Sequence, residues 1–209
     1  MSKSFKEALE FRHACKSFDK NKKISNTDME FILNAARVSP SSYGLEPSQY
    51  IVITNEKLKN QIQEVSMNQS QVSNCSHLVI VLVGINEVKI ESGTPRKRFE
   101  RLNMPTENLE FFLSLYESFS NQHLSNDENI YHWASKQAYL SIGNMMTAAA
   151  VKGIDSCPIE GFEKEKVEAV LNLDTSHHQV ALVLPFGYRE NNQSPLVRQD
   201  LSDIVKYIN

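Results

Sequence analysis

The spacing of hydrophobic and polar positions changes several times along the chain, and each change marks a predicted element. Residues 4 to 12 carry helical spacing. "SNTDMEFILNAARVSP" opens with Ser25 or Asn26 as a cap, sets Met29, Ile32, Leu33 and Ala36 on one helical face, and closes at Pro40. "PSSYGLEPS" has the Pro, Ser and Gly content of a loop. "QYIVIT" and "HLVIVLVG" are β-branched runs that predict buried strands, with a helix near 55 to 65 between them, and "HQVALVLPFG" at 178 to 187 predicts a third strand.

Between the second and third strands lies a long helical section. Its first part is a charged stretch near 93 to 108, expected to be mobile, followed by helical patterns in "NLEFFLSLYESF" and "NIYHWASKQAYLSIGNMMTAAAVKG". From Gln137 to Val151 the second of these has no charged residue, and Gly153 is placed to cap it. A run that short of charge predicts a helix buried on most sides, partly under a second subunit, and it falls short of the roughly 20 apolar residues that span a bilayer. The run after "CPIEGF" reads as one more amphipathic helix.

Composition narrows the functional classes. With 209 residues the chain fits one domain over 1–209 that buries its own core. The formal charge is -3 with no long block of one sign, so neither nucleic acid nor a membrane is an expected partner, and small molecules are. The N-terminal stretch has mixed charge and no apolar signal core, which predicts a cytoplasmic protein. Cys15, Cys75 and Cys157 form no C-x-x-C, and the six histidines show no metal-ligand spacing, so no metal site is expected.

Seven glycines form neither G-x-G-x-x-G nor a Walker loop, so a nucleotide or flavin would have to be gripped by cationic side chains. "RHACKSFD" supplies Arg12 and Lys16, which can fork onto a phosphate and place a point charge further along the same ligand, although the same spacing also describes surface charges. In "PSSYGLEP", Ser41, Ser42 and the loop N–H groups can face an anion, or simply connect a helix to a strand. "PIEG" at 158 to 161 sets a Pro and the local Gly ahead of a helix, in a loop less polar than one that only turns the chain.

Taken together, Arg12, His13, Lys16 and Phe18, the loop from Ser39 to Pro47, the Lys136 to Asn144 pattern "KQAYLSIGN" and "PIEGF" occur in an order that resembles the FMN-dependent nitroreductase family, especially its oxygen-insensitive nitroreductases and dihydropteridine reductases. The resemblance implies an α+β fold, a central mostly antiparallel sheet flanked by helices, in an intertwined homodimer with FMN at the interface. It implies that Arg12, with His13 and Ala14 beside it, holds the FMN phosphate and ribityl chain. Lys16, Asn68 and Gln71 would lie at the pyrimidine edge, and Arg198 at the phosphate. Ser41, Ser42 and Gly44 would reach in from the second subunit, and Gln137 from the long helix. Pro158 and Ile159 would pack on the ring, with the backbone N–H groups of Glu160 and Gly161 beside N5 and O4. No side chain would act as nucleophile or acid.

NADH or NADPH would be the electron donor in a ping-pong cycle, and a nitroaromatic, quinone or related small molecule the acceptor, in a pocket formed by Ser42, Tyr43 and Phe119. Gln71 and Leu196 stand where the nearest relatives of the pattern have Lys, and Ala14 where they have Ser, which implies a looser grip and a lower flavin potential. The competing readings are a flavin-binding or sensing protein with little turnover, and a non-flavin helical dimeric scaffold.

Overall fold

A computed structural model describes residues 2–208. Its first helix, α1 (Phe5–Phe11), starts at a capping box: Ser4 Oγ accepts from the Glu7 N–H while the Glu7 carboxylate accepts from the Ser4 N–H. The second, α2 (Asn26–Arg37), is capped by Ser25. These are followed by β1 (Ser48–Ile53), α3 (Glu56–Glu64), α4 (Ser70–Asn74) and β2 (His77–Gly84). Next come α5 (Thr94–Glu100), α6 (Thr106–His123) and the long α7 (Asp127–Val151). The chain ends with β3 (Asp155–Ser156), α8 (Lys164–Val170), β4 (His178–Gly187) and α9 (Leu201–Ile204).

The strands form one antiparallel sheet in the order β1-β2-β4-β3. Every residue of β2 is buried because both faces of the sheet are covered. Val79, Val81 and Val83 join the core built with α2 and α7, while Leu78, Ile80 and Leu82 point to the other side, against Ile62 of α3 and Val167 of α8. The β2–β4 register slips between Val81 and Leu82, so that Ala181 and Leu182 both face the α7 side before alternation resumes at Val183. A two-residue β3 carries no periodicity of its own, which is why the sequence pattern shows three strands and the structure four.

The long helix occupies the stretch that its spacing predicts, and Gly153 closes it at φ 72, with its N–H on Ala150 O and that of Ile154 on Ala149 O. The charged stretch near 93 to 108 differs from expectation. It contains α5, which starts after the left-handed Gly93 with Pro95 in its first turn and buries Phe99. Arg98 pairs with Glu87 at 3.0 Å and Arg101 with Glu46 at 3.0 Å, so the charges serve as ties to neighbouring segments around one buried apolar stripe. With α6 it forms a third cluster in which Phe99, Tyr116, Leu45 and Ile130 are buried. No helix among the described residues is long and apolar enough to cross a membrane.

Candidate functional site

The residues singled out in the sequence fall into two groups. The first begins where α1 ends. Arg12 is its half-buried C-cap, and the chain then runs extended, with Ala14 bridging to Ser156. Opposite it, residues 191–198 leave β4 and complete a cleft of about 430 Å³ that Ala14, Lys16, Leu196 and Arg198 all line. Lys16 Nζ lies 3.5 Å from Cys157 Sγ, which joins this cleft to the segment from Cys157 to Gly161.

That segment alternates between tied and free backbone. Cys157 N–H donates to Pro185 O, and Ile159 exchanges hydrogen bonds with Val183 at 2.9 and 3.2 Å. Phe162 N–H then returns to Glu160 O at 2.9 Å, and Glu163 N–H reaches Val65 O. The N–H groups of Glu160 and Gly161, lying between these, have no protein acceptor among the described residues, and neither residue is buried. Two adjacent donors held in a turn without a protein acceptor are suited to an electron-rich ligand edge. Pro158 is half-buried, whereas Ile159 belongs to the core at 3% exposure.

Gly161 has no left-handed φ, so its lack of a side chain serves space. A Cβ there would meet Met67 Sδ at 3.1 Å and Gln69 Nε2 at 3.4 Å. Met67 and Asn68 both adopt left-handed backbone (φ 54 and 52), which turns the chain after α3 and leaves Asn68 exposed between Met67 and Gln69. Gln71 is buried at 5% exposure and donates to Gln69 Oε1 at 3.0 Å.

The second group is the loop before β1. Ser42 N–H donates to Gln137 Oε1 at 2.9 Å, and Asn144 Nδ2 donates to Ser39 Oγ at 2.8 Å. Gln137 and Asn144 are seven positions apart and therefore on one face of α7. Ser41 Oγ accepts from the Glu46 N–H, and Tyr43, Gly44 and Glu46 take left-handed backbone (φ 58, 61 and 47). The strain at Tyr43 is held by packing. Its ring lies 5.4 Å from Phe119, 5.2 Å from Tyr116 and 5.9 Å from Phe112, so two of the three expected pocket residues touch.

Three features had no signal in the sequence. Tyr139 donates its hydroxyl to the Glu160 carboxylate from a different face of α7 than the one that meets the loop. Burial, reinforced by that carboxylate, raises its phenol above the usual range. Gln69 touches Gly161, as described above. Asp155, buried at 3%, is bonded by Arg189 through Nη2 at 2.6 Å and Nε at 2.9 Å.

His13 Nδ1 approaches Asp155 at 3.7 Å, and burial together with the Arg189 charge lowers the imidazole pKa. His13, Cys15 and Asp155 bring potential ligand atoms within 4.8 Å of one another. The Arg189 cation already pairs the carboxylate, and burial pushes the Cys15 thiol up to about 11, both of which oppose a metal ion.

Fold and site define an α+β protein with an antiparallel sheet, a cation-lined cleft at its edge and a pair of open backbone donors. The chain belongs to the nitroreductase family, whose model matches residues 9–188. It is 37% identical over 212 residues to "Putative NAD(P)H nitroreductase YfkO" of Bacillus subtilis (strain 168), covering 97% of this chain and 96% of that one. It is 38% identical over 220 residues to a Staphylococcus epidermidis protein of the same description, SERP2086, covering 100% and 98%. Among solved structures, a nitroreductase-like protein of Streptococcus mutans superposes with TM-score 0.88 at 18% identity, covering 98% of both chains. A "putative nitroreductase in complex with FMN" from Exiguobacterium sibiricum 255-15 superposes with TM-score 0.85 at 22% identity, covering 100% of this chain and 99% of that one. At those identities the superpositions speak for the fold.

Proposed function

We propose that the protein is an FMN-dependent NAD(P)H oxidoreductase, built as one domain over 1–209 and active as a cytoplasmic homodimer. The observation that carries the reading is the pair of unpartnered N–H groups at Glu160 and Gly161, in a segment whose flanking N–H groups are bonded and which Lys16 connects to a cleft containing Arg198. These residues fit FMN. A flavin needs donors along its electron-rich edge and a cation at its phosphate, and this chain offers two donors without a protein acceptor and a cleft lined by Lys16 and Arg198. The names of the relatives and the FMN complex of a structural neighbour support the same cofactor and donor.

Arg12, Lys16 and Arg198 would bind the anionic parts of the cofactor, with His13 and Ala14 beside them. Glu160 and Gly161 would orient the ring through backbone hydrogen bonds, with Pro158 against it and Ile159 behind. Asn68 would add a polar contact from the left-handed turn, with Gln71 buried behind it. Bound there, FMN would supply the redox chemistry, taking a hydride from NADH or NADPH and passing electrons to a nitroaromatic, quinone or related acceptor in a ping-pong cycle. Ser42, Tyr43 and Phe119 would form an aromatic wall for flat acceptors.

The second subunit enters the reading through α7. Gln137 holds the Ser41–Ser42–Gly44 loop on one face, while Tyr139, about 200° away round the helix, meets Glu160. A cofactor touched by both groups is best accommodated between two chains, and Tyr139 and Leu140, 41% and 49% exposed, offer apolar surface for the contact. The test is a visible spectrum of protein mixed with FMN, anaerobically, before and after NADPH or NADH. Bound flavin bands that bleach are expected. Bound flavin that stays oxidised would point to a sensing protein, and no bound flavin would overturn the reading.

A further inference from the structure

The Gly161–Phe162 peptide is pinned at both of its polar atoms. Its N–H closes a three-residue turn onto Glu160 O at 2.9 Å, and its carbonyl, that of Gly161, accepts from Gln69 Nε2 at 2.9 Å. Gln69 uses its second amide proton on Ser66 O at 3.1 Å, and its Oε1 accepts from Gln71 Nε2 at 3.0 Å. Two carbonyls on the nitrogen and one donor on the oxygen leave a single consistent orientation for this amide. Gln71 is itself immobilised by burial. The absence of a side chain at Gly161 makes the approach possible, since a Cβ would stand 3.4 Å from Gln69 Nε2.

We infer that Gln69 is a positioning residue for the Glu160–Gly161 backbone donors, with Gln71 fixing the orientation of its amide. This rests on the flavin reading above. Fixing the 161–162 peptide plane restricts rotation about the bonds that aim the two preceding N–H groups, so the donors meet a ligand edge already oriented. A donor fixed beforehand discriminates between two charge states of a ligand more strongly than one that must reorganise. The role of Gln69 is therefore to set the relative affinity for oxidised and reduced flavin, without touching the flavin itself.

The test compares wild type, Gln69→Met and Gln71→Met. Gln69→Met keeps the length and loses both donors. In the cofactor-free protein, amide exchange at Phe162 is expected to quicken at least tenfold. With FMN added, binding is expected to weaken at least tenfold and the flavin midpoint potential to move by about 30 mV or more, which is a tenfold change in the ratio of the two affinities for a two-electron couple. Gln71→Met, which leaves the Gly161 bond in place, should shift the potential in the same direction by less, and it serves as the second variant if Gln69→Met does not fold. An unchanged potential in both variants, whatever the exchange rate, overturns the inference and leaves the flavin reading standing. A wild-type protein that takes up no FMN overturns both.

Discussion

Tyr139 donates its hydroxyl to Glu160, while Gln137, two positions earlier on the same helix, accepts from Ser42. One helix thus fixes two loops that lie apart in the chain. Tyr139→Phe is expected to cost about 1 kcal/mol or less, because Tyr139 is only partly buried, at 41% exposure. Its phenol pKa is raised above the ordinary 10 by burial and then by Glu160, so the unfolded chain loses that proton first. Tyr139 therefore withdraws stability only as pH rises beyond 10. Urea unfolding of wild type and Tyr139→Phe above and below pH 10 checks this, and identical alkaline losses in the two proteins would refute it.

At Gly187 the constraint is space. A Cβ would come within 2.7 Å of Phe18 Cδ1, and Phe18 is 2% exposed with Ser76 N also 3.3 Å from the added atom. Gly187→Ala should destabilise by about 1 to 3 kcal/mol, the usual range for overpacking. An unfolding midpoint at the wild-type value would show that Phe18 can move aside.

Removing Arg189 strands a carboxylate. Arg189→Met leaves Asp155 buried without its partner and should cost about 2 to 3 kcal/mol, below the value for a fully buried pair because Arg189 is partly exposed. Asp155→Asn in the same chain should recover part of that loss. The guanidinium also holds the His13 pKa down, so Arg189→Met should raise it, as an NMR titration of the imidazole would show. A lowered or constant value would contradict the electrostatic assignment.

The thiols should be inert in the native protein. Burial raises Cys15 to about 11 and Cys75 to about 12, and raises Cys157 as well, so all three stay protonated near neutrality. A disulfide reagent at pH 8 should react slowly with native protein and promptly with three thiols after unfolding. Because these folded-state values lie above the ordinary 9, their contribution to stability is intact below pH 9 and declines as pH rises beyond it. Prompt reaction of a native thiol would place one of them at the surface.

Arg12→Ala tests the cationic grip. Loss of a charge-assisted bond worth about 1.5 to 3 kcal/mol should weaken FMN binding roughly ten- to hundredfold, read by fluorescence titration of the flavin. Unchanged affinity would remove Arg12 from the proposed site and leave Lys16 and Arg198 as its cations.

The sequence by itself determined the elements whose signal is local. Met29, Ile32 and Ala36 repeat at helical spacing, β2 is apolar from Leu78 to Val83, and Ser25 and Gly153 sit where caps are needed, so these parts follow from short-range physics. The ordered motifs from Arg12 to Gly161 made the family legible as well. Tertiary structure decided what depends on partners distant in sequence. Asp155–Ser156 is too short to show a period and is a strand only because Phe186 and Gly187 lie beside it. The charges of α5 look like those of a solvated connection until Glu46 and Glu87 are placed against them. Gln69 is one amide in a polar run, and only folding brings it to the carbonyl of Gly161, 92 positions away, because a side-chain hydrogen bond across such a separation imposes no pattern on the chain between its ends.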